Sequence, residues 1–193
     1  MNKKKPPLFD KIDKILFSVG VLFLCILLFF FLYRHDYDLL LDSSISLAAV
    51  ILFYMYRREL HQNTITLFFF ITTLLLHNAH LYGTTPFGVP FDHYMHFYAG
   101  FALAFIADRL LVEKMHPLKH AFFIVFVTLG LGSLGEIIEW LGYGILGSGK
   151  GFFFFGIGDE GEWRNAALDM IFNTVGALIA TIICFFRQNK NQP

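Results

Sequence analysis

Two glutamates nearly one helical turn apart, Glu136 and Glu139, stand in an otherwise apolar stretch. Asp92, His93 and His96 form a second tight group, and Asp169 and Asn173 a third, four residues apart. Carboxylates with one or two histidines are the hard-to-borderline ligand set of zinc, manganese or iron. Desolvated carboxylates beside an imidazole also suit general acid–base work and proton relay. These residues therefore define the candidate site. Glu136, Glu139 and His96 are the candidate catalytic groups, and Asp92, His93, Asp169 and Asn173 the candidate substrate-binding groups. The one cofactor the donors suggest is a divalent metal ion, held by Asp92, His96, Glu136 and Glu139.

Each group has a plainer reading. The two glutamates could be a hydrogen-bonded network between helices. An ionisable side chain inside a membrane costs about 2.5–3.5 kcal/mol at the helix centre, however, which favours a task for it. Asp92, His93 and His96 could be interfacial and wetted, and Asp169 could be a charge complementing a helix N-terminus. His77 and His80 read as interfacial, Asp159, Glu160 and Glu162 as a solvated loop, and Asp108 with Arg109 as an interfacial charge pair and nothing more.

What must position these residues is a set of membrane helices. Of 193 residues, 56% are hydrophobic and 16% charged, with 25 phenylalanines and a mean hydropathy of +0.58. A soluble domain of this size carries about a quarter charged residues. The zero net charge gives no field that would draw in nucleic acid. About 20 apolar residues of helix cross a bilayer core. Six runs qualify: Ile15 to Tyr33, Leu39 to Tyr56, Thr64 to Tyr82, Tyr94 to Val112, His120 to Leu146 and Ala166 to Phe186. They are continuous rather than alternating, which argues for helices over a barrel.

With the N-terminus in the cytosol, twelve of the fifteen Lys and Arg residues fall on the inner side, leaving Arg34, Lys150 and Arg164 outside. That asymmetry satisfies the positive-inside rule. The expected fold class is all-α, a polytopic transmembrane bundle of about six helices, N-in and C-in. It forms a single transmembrane domain over 1–193, with a basic tail (1–14), an outer Gly/Phe-rich loop (147–165) and a cytosolic tail (187–193). The first run lacks a small-residue cleavage site and reads as an uncleaved helix. No inverted repeat is evident.

This orientation puts Asp42, His77, Asn78, His80, Asp92, His93, His96, Glu136, Glu139, Asp169 and Asn173 near the outer face. On the fifth helix Gly132, Gly135, Glu136, Glu139, Gly142 and Tyr143 share a side. Small residues mark the surface where membrane helices touch, so the glutamates are expected to face the bundle. Asp169, Asn173, Gly176 and Ala180 make a similar stripe on the sixth helix, and Asp92, His96 and Ala99, with Gly100 beside them, on the fourth.

Two other signals carry no chemistry. Cys25 and Cys184 lie in apolar runs and suggest neither a zinc site nor a redox pair. Gly144 to Gly151 nearly matches a phosphate-binding loop. Its final hydroxyl residue is replaced by Gly151, and it would face away from cytosolic nucleotide.

The ordered set Phe91-Asp92-His93-Tyr94-Met95-His96-Phe97, Gly135-Glu136 with Glu139-Trp140, Gly158-Asp159, Asp169-Met170, and Asn173 with Gly176-Ala177 resembles the YjdF-like family of bacterial inner-membrane proteins. The match runs from about Thr64 to Ala180. The segment from Gly158 to Trp163 departs from the G-D-x-W-D-T form of many members, so no role for Asp159 or Trp163 carries over. The resemblance implies topology and residues of interest, and no reaction. A weaker similarity to VanZ-like proteins rests on Asp92 with His96, Glu136 with Glu139, and Asp169 with Asn173.

The leading expectation is a cell-envelope membrane protein whose outer-leaflet pocket binds a polar head group or metal. It would modify or hydrolyse a lipid-linked substrate, with Asn173 orienting that substrate. Its partners are the lipid bilayer and a lipid or head-group ligand. The alternatives are a small proton-coupled transporter and a non-catalytic assembly or resistance factor. Inner halves of the fourth to sixth helices nearly free of polar residues count against transport.

Overall fold

The computed structural model describes residues 7–110, 115–146 and 162–190. Most of the segment 147–165, expected as an outer loop and including Phe152 to Phe155, Asp159 and Glu160, lies outside the described residues. So do much of the near-phosphate-loop segment and the outermost residues of both tails. The described residues are helical with short connections and contain no strand. They form two compact units, 1–78 and 79–193.

The first unit contains α1 (Pro7–Arg34), α2 (Tyr37–Tyr56) and α3 (Thr64–His77). Leu24, Val50, Leu67 and Ile71 are its buried apolar centre. Face-to-face rings, Phe17 on Tyr54 and Phe53 on Phe70, each 4.1 Å between centroids, tie the helices together. Asn63 caps α3 by accepting from Thr66 N at 3.0 Å, while Thr66 Oγ1 accepts from Asn63 N at 2.9 Å. This reciprocal cap satisfies two otherwise orphaned N–H groups.

Helix α3 ends five residues earlier than the apolar run to Tyr82 suggests. Asn78 stops it: its backbone N–H and its side-chain amide both donate to Leu74 O. Left-handed His80 and Gly83 follow. Fourteen residues span about 21 Å, short of a 30 Å hydrocarbon core.

The polar residues here are engaged with one another. Ser43 Oγ donates to Asn78 Oδ1 at 2.7 Å, and Asn78 Nδ2 donates to Ser46 Oγ at 2.8 Å. His77 Nε2 lies 2.8 Å from Asp42 Oδ2, both buried. The interfacial reading of His77 is therefore corrected: Asp42 draws it into the unit. A double-mutant cycle of Ser43→Ala with Asn78→Ala, followed by unfolding in detergent, is expected to give a coupling of about 0.6–1.7 kcal/mol, the range for such bonds in membrane proteins.

The second unit contains α4 (Phe91–Leu110), α5 (Pro117–Leu146) and α6 (Glu162–Lys190). Helix α6 begins before the expected Ala166 and takes in Asn165. Asp169 consequently sits about two turns inside the helix, where the N-terminal dipole argument no longer applies. Helices α4 and α6 make the most extensive contact. Two glycines permit it: a Cβ on Gly100 would lie 2.4 Å from Asn173 O, and one on Gly176 2.1 Å from Phe97 O. Gly135, expected on a contact face, has nothing within 4 Å of a built Cβ.

At the opposite end of this unit, Asp108 is buried and hydrogen-bonded to Arg187, with Arg109 at 3.7 Å and His120 at 3.8 Å. The reading of Asp108 and Arg109 as a mere surface pair is corrected. Asp108 joins the end of α4 to the start of α5 and the end of α6.

Among the described residues, four helices are long and apolar enough to cross a membrane: Leu8–Arg34, Tyr37–Tyr56, Pro117–Leu141 and Arg164–Arg187. Helix α4 has the length but carries Asp92, His93, His96, Asp108 and Arg109. Large apolar side chains face outward along the long helices, Phe29 at 75% exposure and Phe126 at 68%. That pattern is unfavourable in water and ordinary against lipid. The fold is an all-helical membrane bundle.

Candidate functional site

His96 is the centre of the polar cluster in the second unit. It projects from α4 one turn after Asp92, whose Oδ1 lies 3.5 Å from His96 Nε2. From α5, Glu139 Oε1 lies 3.9 Å from the same nitrogen, and Glu136 Oε1 lies 3.4 Å from Nδ1. From α6, Asp169 Oδ2 is 3.8 Å from Nε2, and Asn173 Nδ2 is 3.2 Å from Nδ1. Four carboxylates from three helices thus surround one imidazole.

Local rules explain why each helix presents these groups. On α5, Ile124, Thr128, Glu136 and Glu139 are buried, while Leu134, Ile137, Ile138 and Trp140 are exposed. The 100° period therefore puts both glutamates on the packed face. On α6 the same period buries Asp169, Asn173, Ala177 and Ala180. Gly132 leaves room for Asn173, whose Nδ2 would be 3.0 Å from a Cβ there. On α4, Gly100 rather than Ala99 is the buried contact.

Further polar groups support the cluster. His93 Nδ1 lies 2.7 Å from Asp169 Oδ1, and its ring stacks on Phe172 at 5.0 Å. Asn165 Nδ2 donates to Asp169 Oδ2 at 2.7 Å and to Asp92 Oδ2 at 3.4 Å. Asn165 was not recognisable as a site residue while it was read as loop. The one sequence signal was its four-residue spacing from Asp169, which becomes informative only once α6 is known to include it.

The electrostatics are demanding. Asp92, His96 and Asp169 offer ligand atoms within 4.8 Å of one another, as do His96, Glu136 and Glu139. Two carboxylate charges that close repel by about 3–4 kcal/mol at an effective dielectric of 20. Both oxygens of Glu136 are buried without a hydrogen-bond partner, as is His93 Nε2. Such a cluster is stable only with added positive charge, from protons or a bound cation. All seven candidate residues lie in the second unit. Asp42 and His77 belong to the first.

The family described as "Predicted membrane protein (DUF2238)" matches residues 15–190. The chain belongs to this family. It also resembles the inner membrane protein YjdF of Escherichia coli (strain K12), at 30% identity over 96 residues. That stretch covers 48% of this chain and 44% of the relative, so it spans less than half the length of the relative. No solved structure matches. With several apolar helices of membrane-crossing length, the protein is a multi-pass integral membrane protein.

Proposed function

We propose that this is a cell-envelope protein of the bacterial inner membrane whose second unit binds a divalent cation in a carboxylate–histidine pocket near the extracytoplasmic face. Through that ion it engages the polar head group of a lipid-linked substrate. One observation carries the reading. The buried Glu136 carboxylate makes no hydrogen bond and sits 3.4 Å from a histidine that three more carboxylates approach. A cation among these carboxylates relieves their mutual repulsion. Its donors, oxygens plus one imidazole, suit zinc, manganese or iron. In this arrangement His96, Glu139, Asp92 and Asp169 hold the ion, Glu136 is the group left to exchange a proton, and Asn173 orients the substrate.

The test is thermal unfolding of the purified protein in detergent as zinc or manganese is added. Ion at about 100 times its dissociation constant stabilises a folded site by about 2.7 kcal/mol. The wild type should show that rise, and His96→Gln and Glu139→Gln should lose it. Unchanged metal content together with an unchanged membrane lipid profile in these variants would remove the enzymatic reading.

Transport gains one supporting observation. The far end of the same unit is not free of polar groups, since Asp108 and His120 are buried there and Thr128 and Thr181 are buried further along α5 and α6. Between the two clusters, though, Ala102, Ala104, Ile124, Ala177 and Ala180 are packed to 2% exposure or less. A dry layer of this kind favours a one-sided site. Ion flux in proteoliposomes that disappears with Glu139→Gln would reverse the ranking.

A further inference from the structure

The two faces of the His96 ring are not equivalent. Nε2 looks towards three carboxylates, Asp92 at 3.5 Å, Asp169 at 3.8 Å and Glu139 at 3.9 Å. Nδ1 looks towards one, Glu136 at 3.4 Å, beside the Asn173 side chain at 3.2 Å. A neutral imidazole carries its proton on one nitrogen and offers a lone pair on the other. The partner of the protonated nitrogen decides which is which.

We infer that the pocket holds one divalent cation on the Nε2 side of His96, ligated by that nitrogen with Asp92, Glu139 and Asp169. Glu136 is the positioning residue behind the ring, accepting the Nδ1 proton once the Asn173 amide, whose Nδ2 stands 3.2 Å from Nδ1, turns its oxygen to that side. This assignment rests on the cation-binding reading above and divides the labour within it.

Three observations support the division. First, the distances are wrong for a protonated histidine serving as the counter-ion. A charge-assisted N–H···O bond closes to about 2.7–2.9 Å, as His93 and Asp169 do at 2.7 Å. On its Nε2 side His96 reaches no carboxylate closer than 3.5 Å although three face it. Separations of 3.5–3.9 Å on the Nε2 side are close to the edge of a tetrahedron of donors. That edge is about 3.3–3.6 Å at zinc bond lengths.

Second, the two aspartates are already aimed. Asp169 has one oxygen held by His93, and Asn165 bridges the other to the remote oxygen of Asp92. Asp92 Oδ1 and Asp169 Oδ2 are the atoms that face His96. Outer partners that fix ligand orientation are the usual complement of a metal site.

Third, Glu136 is more than nine-tenths buried, has both oxygens without a hydrogen bond, and points at the ring from its other side. A carboxylate accepting the remote N–H of a ligating histidine fixes the tautomer and raises the basicity of the ligand. A modest closure from 3.4 Å completes that bond.

The experiment compares full-length variants in detergent by zinc content and, with Cu²⁺ as a paramagnetic probe, by the electron-spin-echo modulation of the remote imidazole nitrogen. Wild type should bind one zinc per chain and show a single imidazole. Asp92→Asn, Asp169→Asn and Glu139→Gln should each lose stoichiometric zinc. Glu136→Gln should keep one zinc with affinity reduced by about 10–100-fold, and its remote-nitrogen frequencies should shift. His96→Gln should remove that signal. A Glu136→Gln protein as empty as Glu139→Gln would make Glu136 a ligand and overturn the assignment, as would an imidazole signal surviving His96→Gln. Should Glu136→Gln fail to fold, Glu136→Asp decides by the same two readouts. A folded wild type that takes up no zinc or Cu²⁺ sinks the cation reading itself.

Discussion

Gly176→Leu is expected to separate α4 from α6 and to leave the second unit unfolded at temperatures the wild type tolerates. A Cβ at this position would meet Phe97 O at 2.1 Å and Phe101 N at 2.9 Å. Both are backbone atoms of a helix, so neither can swing aside as a side chain could. Overpacking within a core costs about 1–3 kcal/mol when side chains can yield. Here the helices themselves must part, so even Gly176→Ala should reach the top of that range. The separation would also carry Asp169 and Asn173 away from His96. Gly135→Ala is the control on the neighbouring helix. A Cβ there finds nothing within 4 Å, and replacing a helical glycine with alanine gains up to about 1 kcal/mol. Thermal unfolding in detergent checks both. Equal midpoints for Gly176→Ala and Gly135→Ala would refute the close approach of α4 to α6.

Asp169→Ala should be nearly as damaging, for a different reason. Asp169 is fully buried and accepts from His93 and Asn165, each at 2.7 Å. Removing it strands the buried His93 Nδ1 and takes the shorter of its two bonds from half-buried Asn165, and breaking a buried charged network from one side costs about 3–5 kcal/mol. Asp169→Asn keeps the same shape and an oxygen for one donor but turns its own N–H towards the other, so it should cost about 1–3 kcal/mol, less than Asp169→Ala, while losing the negative charge. Denaturant unfolding then separates two ideas. A stable Asp169→Asn that binds no divalent ion supports a ligand role. An Asp169→Asn as unstable as Asp169→Ala shows that the charge holds the helices and that the cluster is a structural network.

Much of this architecture is legible without coordinates. The apolar runs predicted most helix ends to within four residues; α1 begins eight residues before its run, and Asn78 closes α3 five residues early. Glu136 and Glu139 were legible as inward-facing because they share a helical face with small residues, Gly132 among them, and small residues mark helix contacts in membranes. Asp108 was not legible. A carboxylate near a helix end looks the same in sequence whether it meets water or, as here, Arg187 from 79 residues away. The Asp42–His77 pair was hidden in the same way by a separation of 35 residues.

Residue order alone therefore settles the membrane class and the helical fold, and it turns Glu136, Glu139, Asp169 and Asn173 inward. Transfer from water to lipid and the helical period are local properties, summed along a short stretch of chain. The company His96 keeps is another matter. It depends on how closely three helices approach and on their axial register, which Gly100, Gly132 and Gly176 set by contacts between segments far apart in the chain. Only packing in three dimensions could divide the ring of His96 into one side facing three carboxylates and another facing Glu136 and Asn173.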